Sequence, residues 1–326
     1  YEALKEGIDW QFQTYKEYIE FLEKKRLALN ICSYIGHSAL RIWTMGKSAM
    51  ERKANEDEIK EMENIVVNAM RSGSIGFATS TFEGHNGANG IPMPSRFANS
   101  IEISRLVKAM AIDGRGVFML TKSNNTNISD IINLLGEIKR PTMVAALFQN
   151  PVKKDWALDM LEDIKKASAS GYEIWGQVSC KPLSMEFNMH EPYMLEGLSS
   201  WKEYMVKESI GQKIKVLKSK KFRKNVLSEI LDTSKNKLFI GNWEKIKLLK
   251  TNNKNLQNYE GRNLYEISNE FNTEPFDWLL DNAINNGMED LFVAELLNTE
   301  VDGVKKLLTH ENATITLSDA GAHLSL

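Results

Sequence analysis

The chain has 326 residues, enough for one large domain or two modest ones. With 42% apolar and 26% charged residues it has an ordinary globular balance, which argues against a disordered chain. Its 41 Lys and Arg nearly match its 43 Asp and Glu, so no basic excess favours a nucleic-acid or anionic-membrane partner.

Two cysteines, Cys32 and Cys180, are too few for a disulfide framework. Both sit in apolar, strand-like runs, which predicts a buried, reduced pair in a cytoplasmic protein. No stretch approaches the roughly 18 apolar residues of a membrane span. The first residue is Tyr, with no signal peptide before it, and both ends read as cut.

In chain order, "LALNICSYIGH" is a first apolar run, followed by the helical segment "NEDEIKEMENIVVNAMRSG". Asn55 can cap that helix, with Glu58 reaching back in a capping box. Ile59, Met62, Ile65, Val66, Ala69 and Met70 line one face, and Gly73 closes it. The run "SIGFATS" leads into a loop rich in Gly, Asn and Pro, then into "NSIEISRLVKAMAIDG", where Asn99, Glu102 and Gly114 repeat the same device. "GVFMLTK" precedes the helix "ISDIINLLGEIK", which Pro141 blocks from extending. "TMVAALF" precedes "KDWALDMLEDIKKASASG", "EIWGQVSC" follows, and the last run is "ATITLSD".

Six apolar runs therefore start near residues 28, 74, 116, 142, 173 and 313, and amphipathic helices fill the first four gaps. Strands buried on both faces and alternating with helices predict an α/β fold with a parallel sheet, open or closed into a barrel. No G-x-G-x-x-G turn follows any run, so the dinucleotide fingerprint is absent. Polar residues recur just after the strand ends instead: His37, Ser80 with His85, Lys122, Gln149, Lys181 and Asp319. In a (β/α)8 barrel that rim builds the active site. Two of the eight strands are missing, so the expectation is an incomplete TIM-like barrel.

Residues 182–311 break the pattern of short connections and read as a helical insertion, with helices around 199–230 and 275–308. Trp201, Tyr204, Trp243, Phe276 and Trp278 would form its own small core. The basic run Lys213–Lys224 has apolar residues at helical spacing and reads as a solvated helix face.

Three stretches suggest chemistry. In "YIGHSALR", His37 stands at a strand end and Arg41 one helical turn later; a histidine bonded to loop backbone is the simpler reading of His37 alone. The long loop "GSIGFATSTFEGHNGANGIPMPSRFA" carries His85 and Arg96, and rim loops often carry function. The planar fork of Arg96 suits a carboxylate, although pairing with an acidic neighbour competes evenly. In "SDAGAH", Asp319 directly follows a strand, where a carboxylate can ligate a metal, accept a proton and return it to a leaving group.

The segments "GIDWQFQTYKEYIEFLE", "IGHSALRIWTMG", "SGSIGFATS", "GHNGANGIPMPSRFA" and "NTEVDGVKKLLTHENATITLSDAGAHL" occur in an order that resembles the N-acyl-D-amino-acid deacylase (D-aminoacylase) branch of the amidohydrolase superfamily. The resemblance implies that this is an internal fragment, residues 1–326 forming one partial barrel with strands three to eight present. It implies a hydrolase of linear C–N amide bonds acting on an N-acyl amino acid. A divalent metal, zinc, would be held mainly by an H-x-H motif upstream of this chain. Asp319 would be metal ligand and general base; His37, Arg41, Ser80, His85, Arg96 and His323 would contact substrate. The family's histidines at the ends of strands five and six are absent from "FMLTKSNN" and "VAALFQN", where Thr121, Lys122 and Gln149 stand. Carboxylated lysine bridges metals in other amidohydrolases, a role open to Lys122, and the losses imply a mononuclear or weakly held metal. They also motivate a competing reading, a catalytically silent barrel that serves as a binding scaffold.

Overall fold

All six apolar runs become strands of one parallel sheet in the computed structural model, which describes residues 10–87, 91–232, 234 and 237–316. They are β1 (Tyr34–Gly36), β2 (Gly76–Ser80), β3 (Val117–Thr121), β4 (Thr142–Leu147), β5 (Ile174–Val178) and, after three strands of a second sheet, β9 (Ala313–Ile315). Their order is β1-β2-β3-β4-β5-β9. A doubly wound sheet reverses its strand order at a switch point; this one never does.

The crossovers carry α2 (His37–Met45), α3 (Glu56–Arg71), α4 (Ser100–Met110), α5 (Ile128–Leu135) and α6 (Trp156–Ala169), preceded by α1 (Tyr15–Lys24). Side chains alternate across a strand, and burial follows that alternation. Phe77, Phe118, Leu120, Val144 and Ile174 are sealed. Ala78, Met119, Met143 and Trp175, which share register positions on the other face, are only half-buried. The helices pack on the sealed face: a Cβ on Gly176 would meet Leu161 of α6 at 2.5 Å. Strands that run in sequence order with helices on one face have the winding of a barrel wall.

The caps are largely legible. Asn55 and Glu58 form the expected box at α3, and Gly73 and Gly114 follow their helices with φ of 106° and 68°. At α4 the box is half made. Asn99 Oδ1 accepts from Glu102 N at 2.8 Å, but the Glu102 carboxylate has other partners. Helix α5 stops at Leu135, earlier than Pro141 requires, because Gly136 takes φ 57° and ends it.

Gly76 shows how tightly β2 and β3 approach: a Cβ there would lie 1.8 Å from the Val117 carbonyl oxygen. Backbone cannot yield as a flexible side chain would. Gly76→Ala is expected to destabilise by about 1–3 kcal/mol. Equilibrium urea unfolding checks this, and an unchanged midpoint would refute it.

The chain divides into two compact units. The first is Tyr1–Leu147, Ala157–Val178 and Leu307–Leu317; the second is Phe148–Trp156, Ser179–Lys306 and Ser318–Leu326. The second unit corrects the reading of 182–311 as helical. It contains an antiparallel sheet ordered β6-β8-β7, from Leu183–Phe187 (β6), Ile246–Lys250 (β7) and Leu291–Leu297 (β8). Strand β8 lies inside the predicted helix 275–308, which is in fact α10 (Pro275–Asn285), β8 and α11 (Val301–Leu308), after α7 (Ile210–Leu217), α8 (Lys220–Leu231) and α9 (Leu264–Glu270). "LFVAELL" alternates strictly in burial, the period of a strand. The aromatic core is as expected, with Trp201 and Tyr204 fully buried and their rings 4.8 Å apart. Trp278 and Phe276 join it, and Trp243 packs against it.

Cys32 and Cys180 are both exposed, not buried. Each lies just outside a strand, Cys32 before β1 and Cys180 after β5, where the alternation that buries apolar residues no longer acts. Among the described residues no helix is long and apolar enough to cross a membrane.

Candidate functional site

The C-terminal ends of the first unit's strands hold two distinct polar clusters, one on each face of the sheet. On the helix-packed side, His37 opens α2 immediately after β1. Its Nδ1 lies 2.7 Å from Thr79 Oγ1 and its Nε2 2.8 Å from Glu102 Oε1. Arg41 Nη1 donates to both Glu102 oxygens at 2.5 and 2.6 Å, and its Nη2 donates to the carbonyls of Ala49 and Arg52. Thr79 shares its face of β2 with Phe77, whose ring meets that of His37 at 5.2 Å.

His37, Arg41 and Glu102 are each at most 1% exposed. Neither His37 nor Arg41 faces a ligand space, which corrects their expected place on the rim. Helical spacing turns both inward, and a carboxylate 61 positions away from Arg41 neutralises it. Burial pushes the imidazole of His37 below its ordinary value of 6.5, against the pull of Glu102. Burial also opposes ionisation of Glu102, but hydrogen bonds from His37 and Arg41 outweigh it and hold the carboxyl below 4.5.

On the half-open face stand Ser80 and, at its register position on β3, Thr121. Ser80 Oγ lies 2.6 Å from His85 Nδ1 and accepts from Phe82 N at 3.3 Å. Backbone and side-chain bonds fold the loop onto the strand end. His85 N donates to Phe82 O, Met93 N and Arg96 Nη1 donate to His85 O, and Ser95 Oγ donates to Ser80 O. Arg96 Nη1 also donates to Asn86 Oδ1 at 2.5 Å, so its partner in the loop is an amide and a carbonyl, not an acidic side chain. Burial lowers the pKa of His85, and the Arg96 guanidinium lowers it further. Ser80, His85 and Arg96 are thus brought together at one strand end.

Lys122 follows Thr121 and is 5% exposed, its Nζ donating to Ser123 O at 2.9 Å. Burial lowers its pKa, while Glu83 raises it. Gln149 belongs to the second unit and is buried in a structural role: its Oε1 accepts from Glu300 N at the start of α11, and its backbone N donates to Asn298 Oδ1. Lys181 is exposed. Asp319 and His323 lie outside the described residues.

The donors present on the half-open face do not fit a zinc ion. Ser80, Thr121 and Gln177 offer neutral oxygens and His85 a single imidazole, whereas zinc is bound by three or four His, Cys or carboxylate ligands. Among the described residues no three of His, Cys, Asp and Glu come together where they could hold a metal ion.

Sequence reasoning missed Glu102 and Thr79 as members of a cluster. Glu102 reads locally as a capping residue, and nothing local marks its pairing with Arg41. Gln177 left a usable signal: a polar residue within an apolar strand, two positions after Trp175. Its Oε1 is buried without a hydrogen-bond partner among the described residues.

No family model matches the chain. One stretch of 81 residues is 33% identical to D-aminoacylase from Alcaligenes xylosoxydans xylosoxydans, covering 25% of this chain and 16% of that protein. Among solved structures, D-aminoacylase described as defining a novel subset of amidohydrolases aligns over 93% of this chain with a TM-score of 0.52 and 18% identity. A D-aminoacylase with a binuclear metal centre, described by one-metal activation and second-metal attenuation, aligns equally well at 17% identity. N-acyl-D-glutamate deacylase from Bordetella bronchiseptica, with zinc and a phosphonate inhibitor, aligns with a TM-score of 0.55 and 14% identity. The chain spans 51% of each of these structures. In sequence over that one stretch, and in fold over nearly its whole length, the chain resembles the D-aminoacylase branch of the amidohydrolases.

Proposed function

We propose that the protein to which this chain belongs is a metal-dependent hydrolase of linear C–N amide bonds, acting on N-acyl amino acids and most suited to N-acyl-D-amino acids. The observation that carries the reading is the coincidence of two independent likenesses: the 81-residue match to D-aminoacylase and the alignment of 93% of the chain with D-aminoacylase and N-acyl-D-glutamate deacylase structures. On this reading the six parallel strands are strands three to eight of a (β/α)8 barrel, residues 1–326 are part of one amidohydrolase domain, and 182–311 is an insertion before the last strand. The half-open face of the sheet is then the barrel interior, and Ser80, His85 and Arg96 stand at its catalytic end. His37 and Arg41 support that end from behind, without touching substrate.

Asp319, directly beyond β9, is the proposed catalytic carboxylate and a metal ligand, with His323 beside it as a substrate contact. Because the described residues supply no metal-binding group, the ion would depend on segments outside them. The test is turnover of N-acetyl-D- and N-acetyl-L-amino acids by the intact protein, with and without chelator. Chelator-sensitive release of the free amino acid is expected. Absence of turnover across the series in metal-supplemented protein would overturn the reading in favour of a silent scaffold.

The metal count offers a second check. Elemental analysis of the intact protein is expected to find about one divalent ion per chain, since histidines are missing where Thr121, Lys122 and Gln149 stand. Two tightly held ions would contradict this.

A further inference from the structure

The hydrogen bond between Ser80 and His85 ties the tautomer of the ring to the direction in which the Ser80 hydroxyl points. Ser80 Oγ has one proton and two lone pairs. The Phe82 N–H occupies one lone pair at 3.3 Å, and His85 Nδ1 at 2.6 Å is the acceptor the hydroxyl reaches among the described residues. With Ser80 donating, Nδ1 is an acceptor and the proton of the neutral ring sits on Nε2. The ring stays neutral near pH 7 because burial and the neighbouring Arg96 both disfavour the imidazolium.

His85 is held in place by more than its ring. Its backbone N–H and carbonyl are both bonded within the loop, and its ring meets Phe82 edge to face at 5.3 Å. Nε2 takes part in no hydrogen bond with the described residues. Arg96 uses Nη1 to bind the His85 carbonyl and Asn86, which leaves Nη2 and Nε unengaged among the same residues. The loop therefore carries a neutral N–H on a ring held in place and, bonded to the backbone of the same residue, a guanidinium. An oxyanion with two acceptor oxygens satisfies both donors, and a neutral group satisfies one.

We infer that His85, locked by Ser80 as the Nε2–H tautomer, is a specificity-determining residue that receives the free carboxylate of the substrate together with Arg96. This rests on the reading of the substrate as an N-acyl amino acid, and it makes Ser80 a positioning residue. An acid is preferred over its amide-capped form because only the acid engages both donors.

The test uses the intact protein with an N-acetyl amino acid and the same compound capped as its C-terminal amide. In His85→Phe, which keeps a ring but has no N–H to donate, KM for the acid should rise about tenfold, the value expected for a lost hydrogen bond to a charged group, with kcat within about twofold. KM for the capped compound should not change. 15N-histidine labelling of the intact protein, with the His85→Phe spectrum assigning the His85 resonances, resolves the tautomer directly. The wild type should show protonated Nε2, shifted by the acid and not by the amide. Ser80→Ala should mix the tautomers and raise KM for the acid, and Ser80→Thr, which keeps the hydroxyl, should restore both. A protonated Nδ1 in the wild type, or equal KM changes for acid and amide, would overturn the inference. Lack of turnover in wild type would count against the hydrolase reading alone, because the NMR response to the acid still decides the role of His85.

Discussion

Replacing Glu102 with Gln is expected to destabilise the protein by about 3–5 kcal/mol, the range for removing one partner from a buried ion pair. The shape of the side chain is kept, so the loss isolates the charge. Arg41 is fully buried, and without Glu102 its guanidinium would face only the carbonyls of Ala49 and Arg52. Those accept hydrogen bonds but cannot neutralise it. The same substitution strips His37 Nε2 of its carboxylate partner. Urea unfolding of the intact protein measures the change, and a shift below about 1 kcal/mol would show that water reaches Arg41. Replacing Arg41 and Glu102 together by Met and Leu should cost less than either single change, because no uncompensated charge remains.

The cluster also sets the direction of a pH effect. His37 and Glu102 both have lowered pKa values in the folded state. The unfolded chain therefore binds more protons than the folded one as pH falls, first near 6.5 at His37 and then near 4.5 at Glu102. Stability rises with pH wherever the unfolded state holds more protons. The melting temperature is thus expected to be flat above about pH 7 and to fall steadily below it. Glu102→Gln should lose the lower part of that slope; a melting temperature independent of pH between these values would refute the assignment.

The second large effect concerns Asp319. Asp319→Asn is expected to lower turnover by about 10²–10⁴-fold, the usual contribution of a general acid–base group, while leaving the unfolding midpoint nearly unchanged. Asn is isosteric but cannot accept a proton and return it. Strand β9 pairs in parallel with β5 and directs its C-terminal end to the same edge as the ends of the other five strands. The chain reaches Asp319 four residues after β9 ends at Ile315. Near-normal turnover in the variant would remove Asp319 from the mechanism.

How much of this was legible in advance differs by residue. Asn55 and Glu58 were readable because a capping box is closed within four consecutive residues. Asn99 and Glu102 carry the same spacing, yet the box is left half made, since Glu102 gains more from a buried guanidinium than from a solvated backbone N–H. Ser80 and His85 were readable as a pair because only four residues of loop separate them. Strand β8 was not separable from its helical flanks, because "LFVAELL" is short and apolar enough to suit either period until burial is known.

By itself, then, the amino-acid order determined the alternation of strands and helices, the ends of α3 and α4, the aromatic core around Trp201 and the grouping of Ser80 with His85. These rest on interactions within a few turns of chain, where hydrophobic period and capping chemistry act. Tertiary structure alone decided that His37 and Arg41 turn to the helix side, that Glu102 neutralises them, that the two cysteines are exposed, and that β8 lies between β6 and β7. Each of those depends on a partner tens of residues away, and which face of an element is covered is settled only when the covering element arrives.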